Sequence, residues 1–263
     1  MPICQFWGFP QPIILYNKIG DIMTDIDTLI KWIKESKSIV FFGGAGVSTE
    51  SGLKDFRSKD GLYNEKYDFP PEQILSHTFF MGNTEDFYKF YKDKLDTRNF
   101  KPNITHEVLS LMEEKGLLDC VITQNIDGFH QDAGSKKVYE LHGSIKRNYC
   151  MDCHKFYDEK IVFESNSIPK CSCGGIIKPD VVLYEEGLDE DTIKNSIRAI
   201  ASCDLLIIGG TSLNVYPAAG FINYFRGKHL VLINRDSTSY DSMCDLVIHD
   251  SIGKVFKQIK KEI

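Results

Sequence analysis

Ser38-Ile39-Val40-Phe41-Phe42 runs directly into Gly43-Gly44-Ala45-Gly46-Val47-Ser48-Thr49. An uncharged run of this length suits a strand buried on both faces, and such a strand entering glycines is how a parallel sheet opens onto a phosphate-binding turn. Glycines let the chain turn tightly and bring backbone N–H groups close to a pyrophosphate at a helix N-terminus. The turn departs from G-x-G-x-x-G, because Thr49 stands where the third glycine would be. A strand-to-helix turn that merely needs small residues fits this segment as well as a dinucleotide site does.

Outward from this turn the pattern repeats. Upstream, Thr24 or Asp25 can cap a helix whose Ile26, Leu29, Ile30 and Ile33 fall on one face. Downstream, apolar runs recur at Cys120–Thr123, Val181–Tyr184, Leu205–Gly210, His229–Asn234 and Asp245–Ile248. Amphipathic segments lie between several of them, at Asn103–Lys115, Asp189–Ala201, Pro217–Phe225 and Ile252–Ile263. The alternation predicts an α/β domain, a Rossmann-like doubly wound parallel sheet with helices on both faces, over residues 23–263. Residues 144–180, rich in Cys, Lys and Ser with little periodicity, read as a small insert held by something other than a core. Residues 1–22 carry no helix-start signal and read as an extension or a mis-assigned start. A second glycine turn, Gly209-Gly210-Thr211-Ser212, follows a buried run, and Asn234 ends another with side-chain groups able to bond a ribose. Two such turns shift the reading toward a nucleotide.

Composition narrows the partners. The chain is 263 residues long, 42% hydrophobic and 26% charged, with a net charge of -6. These proportions fit an ordinary globular domain rather than a disordered or fibrous chain. The negative balance gives no general attraction to nucleic acid or to an anionic membrane, and favours a cationic, lysine-bearing protein segment. No run approaches the ~20 apolar residues of a membrane span. The first 22 residues lack a basic start and a cleavage site, which points to the cytoplasm.

Cys150-x2-Cys153 and Cys171-x-Cys173 are separated by 17 residues, a spacing that brings four thiolates around zinc. Disulfides are the alternative, but they rarely persist in a reducing compartment. With four cysteine ligands no position is left to water, so the zinc is expected to be structural. Cys4, Cys120, Cys203 and Cys244 are scattered singly and read as packing residues.

Asp55-Phe56-Arg57 follows the first glycine turn, Gln124-Asn125-Ile126-Asp127 ends a buried strand, and Leu141-His142-Gly143 ends another before the insert. Ligands of an open α/β sheet lie at the carboxyl ends of its strands, where all three segments would converge. Singly, Asp127 reads as a helix cap, Arg57 as a surface charge and His142 as a core histidine. Together they resist explanation as packing.

In these segments the chain closely resembles the sirtuins, NAD-dependent protein deacylases, and within them the bacterial branch. The matching motifs are Gly44-Ala45-Gly46-x-Ser48-x-x-Ser51-Gly52-x-x-Asp55-Phe56-Arg57, Thr123-Gln124-Asn125-Ile126-Asp127-Gly128-x-His130, Leu141-His142-Gly143-Ser144, the cysteine quartet, Lys178-Pro179-Asp180-Val181-Val182 and Gly210-Thr211-Ser212-Leu213-x-Val215-x-Pro217. The resemblance implies NAD and structural zinc as cofactors, acetylated proteins as substrates, and O-acetyl-ADP-ribose, nicotinamide and free lysine as products. It implies His142 as the general base that draws a proton from the cofactor's ribose, with Asn125 and Asp127 on the nicotinamide side. Ile126 and Phe56 would line that pocket. Ser48 and Arg57 would lie near the phosphates, Thr211, Ser212, Asn234 and Ile252 would bind the adenosine half, and Gly44, Ala45, Gly46, Thr49, Asp55, Gln124 and Gly210 would complete the cofactor site. Val182, Tyr184 and Val215 would bind the substrate strand. Protein ADP-ribosylation uses the same cofactor cleavage and stays open as an enzyme alternative. A zinc-ribbon scaffold explains the cysteines but leaves His142 idle. A dehydrogenase predicts an acidic ribose ligand about 20 residues after the glycines, where this chain has Gly61-Leu62-Tyr63-Asn64-Glu65.

The chain departs from the family at Leu53-Lys54, where Ile-Pro is usual, at Phe129, where leucine is common, and at Tyr184-Glu185, where Phe-Gly is usual. Some desuccinylating members carry Tyr-x-x-Arg where this chain has Tyr91-x-x-Lys94. A lysine lacks the two-pronged fork that grips a carboxylate, and Lys94 reads as a solvated charge, so acetyl is the expected acyl group.

Overall fold

The computed structural model describes residues 24–55, 61 and 67–263. Among the described residues nine strands follow one another: β1 (Ile39–Gly43), β2 (Leu118–Thr123), β3 (Val138–Glu140), β4 (Gly143–Cys150), β5 (Phe156–Tyr157), β6 (Ile177–Val181), β7 (Leu205–Gly209), β8 (His229–Ile233) and β9 (Leu246–Ile248). Six form one sheet in the order β3-β2-β1-β7-β8-β9, parallel throughout. Counted within that sheet, the order is 3-2-1-4-5-6, that of a doubly wound dinucleotide fold. The order reverses between β1 and β7, and their carboxyl ends carry the two glycine turns.

Alternation along β1 distributes the core. Ile39 and Phe41 face one cluster, with Leu29 and Ile33, Val108 and Met112, and Val255, Phe256 and Ile259. Val40 and Phe42 face the other, with Ile200, Ala218, Phe221 and Ile222. All five β1 residues are buried, which is why the run shows no polar alternation. The first helix, Asp25–Glu35, starts at Thr24, whose hydroxyl accepts from the Asp27 amide while the Asp27 carboxylate accepts from the Thr24 amide. This reciprocal cap fixes where the helix begins.

Three expectations need correction. Val181–Tyr184 is not a strand of the parallel sheet. Its first residue closes β6, which pairs antiparallel with β4 in a separate sheet ordered β5-β4-β6. An apolar run of that length reads alike in either setting. Pro217–Phe225 forms a 3₁₀ helix over Ala218–Tyr224 rather than an α-helix. The cysteine-rich insert also has a core of its own, in which Phe87, Tyr88, Phe90 and Tyr91 of the helix Thr84–Leu95 pack with Ile145, Val162, Val181 and Leu183. The small module is therefore assembled from two separate stretches of chain, which local periodicity within 144–180 does not reveal. Among the described residues no helix is long and apolar enough to cross a membrane. The expected extension over residues 1–22 lies outside the described residues.

Candidate functional site

Glycine is required where the two turns meet. Gly46 N–H donates to Gly210 O at 2.8 Å, and Gly44 N–H donates to Gly209 O at 3.2 Å. A Cβ on Gly46 would sit 2.8 Å from Gly210 Cα, and one on Gly210, at φ +59, would sit 2.4 Å from the Val47 nitrogen. The turns thus pack backbone against backbone, and Gly44, against Thr211, shapes the turn. Gly210→Ala should cost about 1–3 kcal/mol for its left-handed backbone alone, with the steric overlap added. A lower Tm and weaker NAD binding by calorimetry are the expected results.

Beside the turns lies a cavity of about 950 Å³. Its wall includes Ala45, Gly46, Ser48, Thr49, Asp55, Gln124, Asn125, Ile126, Asp127, His142, Val182, Tyr184, Gly210, Thr211, Ser212, Val215, Asn234 and Ile252. Of the expected site residues, Gly44 stands behind this wall, and Phe56 and Arg57 lie outside the described residues. The wall also takes in Asp93–Thr97 and Phe100, the loop Arg235–Ser239, and Glu185. Of these, Lys94 and Glu185 stand out in the sequence, the first in Tyr91-x-x-Lys94 and the second as a departure from the family pattern, and Arg235 follows the carboxyl end of β8; the others carry no local signal.

The polar floor is one connected network. Ser48 Oγ donates to Asp127 Oδ2 at 2.7 Å and accepts from Asn125 Nδ2 at 3.1 Å. Asp127 Oδ1 accepts from the amide of Phe129, the first residue of the short helix Phe129–Asp132, at 2.9 Å, while Gly128 rather than Asp127 occupies the cap position. Burial pushes the Asp127 carboxyl up from its ordinary range, against the opposing pull of those two hydrogen bonds. Behind Ser48 stands His106, whose Nδ1 accepts from the Asn103 amide at 3.1 Å and whose Nε2 lies 3.5 Å from Ser48 Oγ. Sequence reading passed over His106. Its signal was the helix start Asn103-x-x-His106, a capping pair at the base of the site.

His142 leaves β3 toward the cavity. Its Nδ1 lies 2.8 Å from Gln124 O, and a carbonyl only accepts, so the proton sits on Nδ1. Nε2 therefore carries the lone pair. Burial pushes this imidazole down from its ordinary value, partly offset by the Gln124 carbonyl. A neutral ring of fixed tautomer can take a proton from a hydroxyl placed at Nε2. The His142 carbonyl in turn accepts from the Val182 amide at 3.0 Å, which ties the base to the segment leaving β6.

The four cysteines converge as their spacing predicts. Their sulfurs all lie within 4.8 Å of one another, with Cys150–Cys173 at 3.4 Å and Cys153–Cys171 at 3.5 Å. Tetrahedral zinc with Zn–S bonds near 2.3 Å places sulfurs about 3.8 Å apart, so the donor set fits zinc with a small expansion. Tyr157 Oη donates to Cys171 Sγ at 3.0 Å, the kind of outer contact that orients a thiolate ligand. The cluster belongs to the β5-β4-β6 module rather than to the cavity wall, which suits a structural ion.

Comparison with known proteins agrees with this geometry. The Sir2 family model matches residues 44–217. The NAD-dependent protein deacetylase of Clostridium perfringens is 62% identical over 238 residues, 89% of this chain and 98% of that protein. That of Clostridium acetobutylicum is 59% identical over 242 residues, 90% of this chain and 99% of that protein. A solved complex of Sir2 with a p53 peptide and NAD+ is 35% identical with a TM-score of 0.81, covering 90% of this chain and 98% of that one. Another, of a Sir2 variant with a deacetylated p53 peptide and 3'-O-acetyl ADP ribose, is 36% identical with a TM-score of 0.83, covering 90% and 98%. Sheet order, glycine turns, cavity network, cysteine cluster and sequence identity agree, and the chain belongs to the Sir2 family.

Proposed function

We propose that the protein is an NAD-dependent protein-lysine deacetylase that passes the acetyl group to ADP-ribose and releases nicotinamide and free lysine. The carrying observation is the His142 imidazole, held neutral with its Nδ1 proton on the Gln124 carbonyl, in a cavity that the paired glycine turns also line. When bound, NAD supplies a ribose carbon from which nicotinamide departs as the acyl oxygen attaches. Ser48 and the backbone of the turn Ala45–Gly46 would lie near its phosphates, Thr49 and Asp55 would complete that side of the cofactor site, and Thr211, Ser212, Asn234 and Ile252 would hold its adenosine half. Asn125, Ile126 and Asp127 would hold the nicotinamide side, with their carboxamide and carboxylate fixed through Ser48. Nε2 of His142 would take the ribose hydroxyl proton.

The acetylated segment would lie between Val182–Glu185 and Gly210–Val215 as an added strand. Val182, Tyr184 and Val215 line one cavity with the base, which supports that placement. The need for four zinc-binding thiols supports a reducing compartment such as the cytoplasm. Incubation with an acetyl-lysine peptide should free lysine only when NAD is present. Lysine release without NAD would refute the reading.

Acetyl is the proposed acyl group. Tyr91 is fully buried, its ring stacked between Phe87 and Phe163 at 5.4 and 5.8 Å, within the module core. Lys94 proves not to be a solvated charge. It lines the cavity with 23% of its side chain exposed, 3.0 Å from Asp93 and 5.5 Å above the Tyr67 ring. Its charge is already met, and a succinyl carboxylate arriving there would also meet Asp93. Leaving such a charge poorly paired costs more than about 1.4 kcal/mol, a tenfold effect. The expected kcat/KM on an acetyl peptide is therefore at least about tenfold that on the matched succinyl peptide. Faster succinyl removal, lost in Lys94→Ala, would contradict this.

A further inference from the structure

We infer that Glu185 is a specificity-determining residue, whose carboxylate favours substrates with a lysine or arginine close to the acetylated lysine. The inference rests on the deacetylase reading and concerns the same cleft. Tyr184 N–H donates to Leu75 O at 2.9 Å and Tyr184 O accepts from His77 N–H at 3.0 Å, so residues 75–77 close one side of this segment. The next residue, Glu185, has φ +77, a left-handed conformation that suits glycine and that other side chains rarely adopt. It is held there because Oε2 accepts from both the amide and the hydroxyl of Thr78, at 2.9 and 2.7 Å. At this position the sirtuin resemblance leads one to expect glycine, so a charged side chain has been placed where the backbone disfavours any side chain.

The charge is not absorbed by the protein. Both Thr78 donors are neutral, and they, with a smaller electrostatic pull from His77, hold the Glu185 carboxyl below its ordinary range, so it stays ionised through neutral pH. Neighbouring Glu186 differs, since Lys178 Nζ at 3.1 Å and His77 Nδ1 at 2.9 Å bind it. Among the described residues no lysine or arginine pairs with Glu185, and it lines the cavity together with Val182, Tyr184 and Val215. A negative, solvent-reached carboxylate on the wall of a peptide cleft attracts a cation carried by the peptide. In a chain of net charge -6, surrounding repulsion of acidic substrates acts in the same direction.

An exposed pair of this kind is modest and screened by salt. The test uses acetyl-lysine peptides in which arginine, alanine or glutamate is placed singly at each position from two before to two after the modified lysine. At low ionic strength, at one or more positions, kcat/KM with arginine should exceed that with alanine by about three- to fivefold. Glutamate should fall below alanine there. Glu185→Gln keeps an oxygen for Thr78 and removes only the charge, so the arginine-to-alanine ratio should fall toward one in it, as it should in wild type at high salt. A ratio unchanged in E185Q, or equal to one at every position in wild type, overturns the assignment while leaving deacetylation intact. Absence of NAD-dependent turnover on every peptide takes down the deacetylase reading and the assignment together.

Discussion

His142→Ala should lower kcat for deacetylation by about 10²–10⁴-fold, the usual contribution of a positioned general base, while NAD affinity changes little. The separation is expected because the side chain contributes a lone pair at Nε2, whereas in the proposed reading the cofactor would be held chiefly by the glycine turns and the Ser48–Asp127–Asn125 network. The sign of the pH dependence follows from the lowered imidazole. A base whose pKa is depressed stays deprotonated further into acid, so the acid limb of the wild-type rate profile should lie below the usual histidine value near ~6.5. Parallel loss of activity and NAD binding in His142→Ala would show a structural role instead.

The second large effect concerns the cysteine cluster. Cys171→Ala should lose the zinc and unfold the module, because structural zinc sites contribute folding free energy directly. The loss should not stay local. Ile145, Val181 and Leu183 belong to the module's core, and the segment Val182–Glu186 that follows β6 forms a cavity wall. Elemental analysis should find one zinc per wild-type chain and none in the variant, with a lower Tm and reduced turnover. A variant that loses zinc yet keeps its Tm and activity would contradict this account.

The doubly wound sheet was legible because burial on both faces writes uninterrupted apolar runs, as in Val40–Phe42 and Leu205–Ile208. The glycine turns were legible because those runs fix the carboxyl ends of β1 and β7, whereas the half-buried β3 gave no such run and His142 stood out through the motif Leu141-His142-Gly143. The cysteine tetrahedron was legible from spacing alone. What escaped was set by contacts distant in sequence. The Thr84–Leu95 helix packs under β4 and β6, some 50 to 90 residues later, so its aromatic residues gave no hint of their partner. Val181–Leu183 looks the same whether the strand joins a parallel or an antiparallel sheet. His106 reaches Ser48 across 58 residues. Lys94 lies over the ring of Tyr67, 27 residues earlier, and the polar residues beside it in sequence concealed that placement.

The most direct measurement is the stoichiometry of the reaction. The protein is incubated with NAD and an acetyl-lysine peptide, and nicotinamide, free lysine and the ADP-ribose product are followed together by mass spectrometry. The account predicts one nicotinamide and one acetylated ADP-ribose for each lysine freed, with no ADP-ribose attached to the enzyme or the peptide. Nicotinamide released without free lysine, accompanied by ADP-ribose attached to protein, would contradict it.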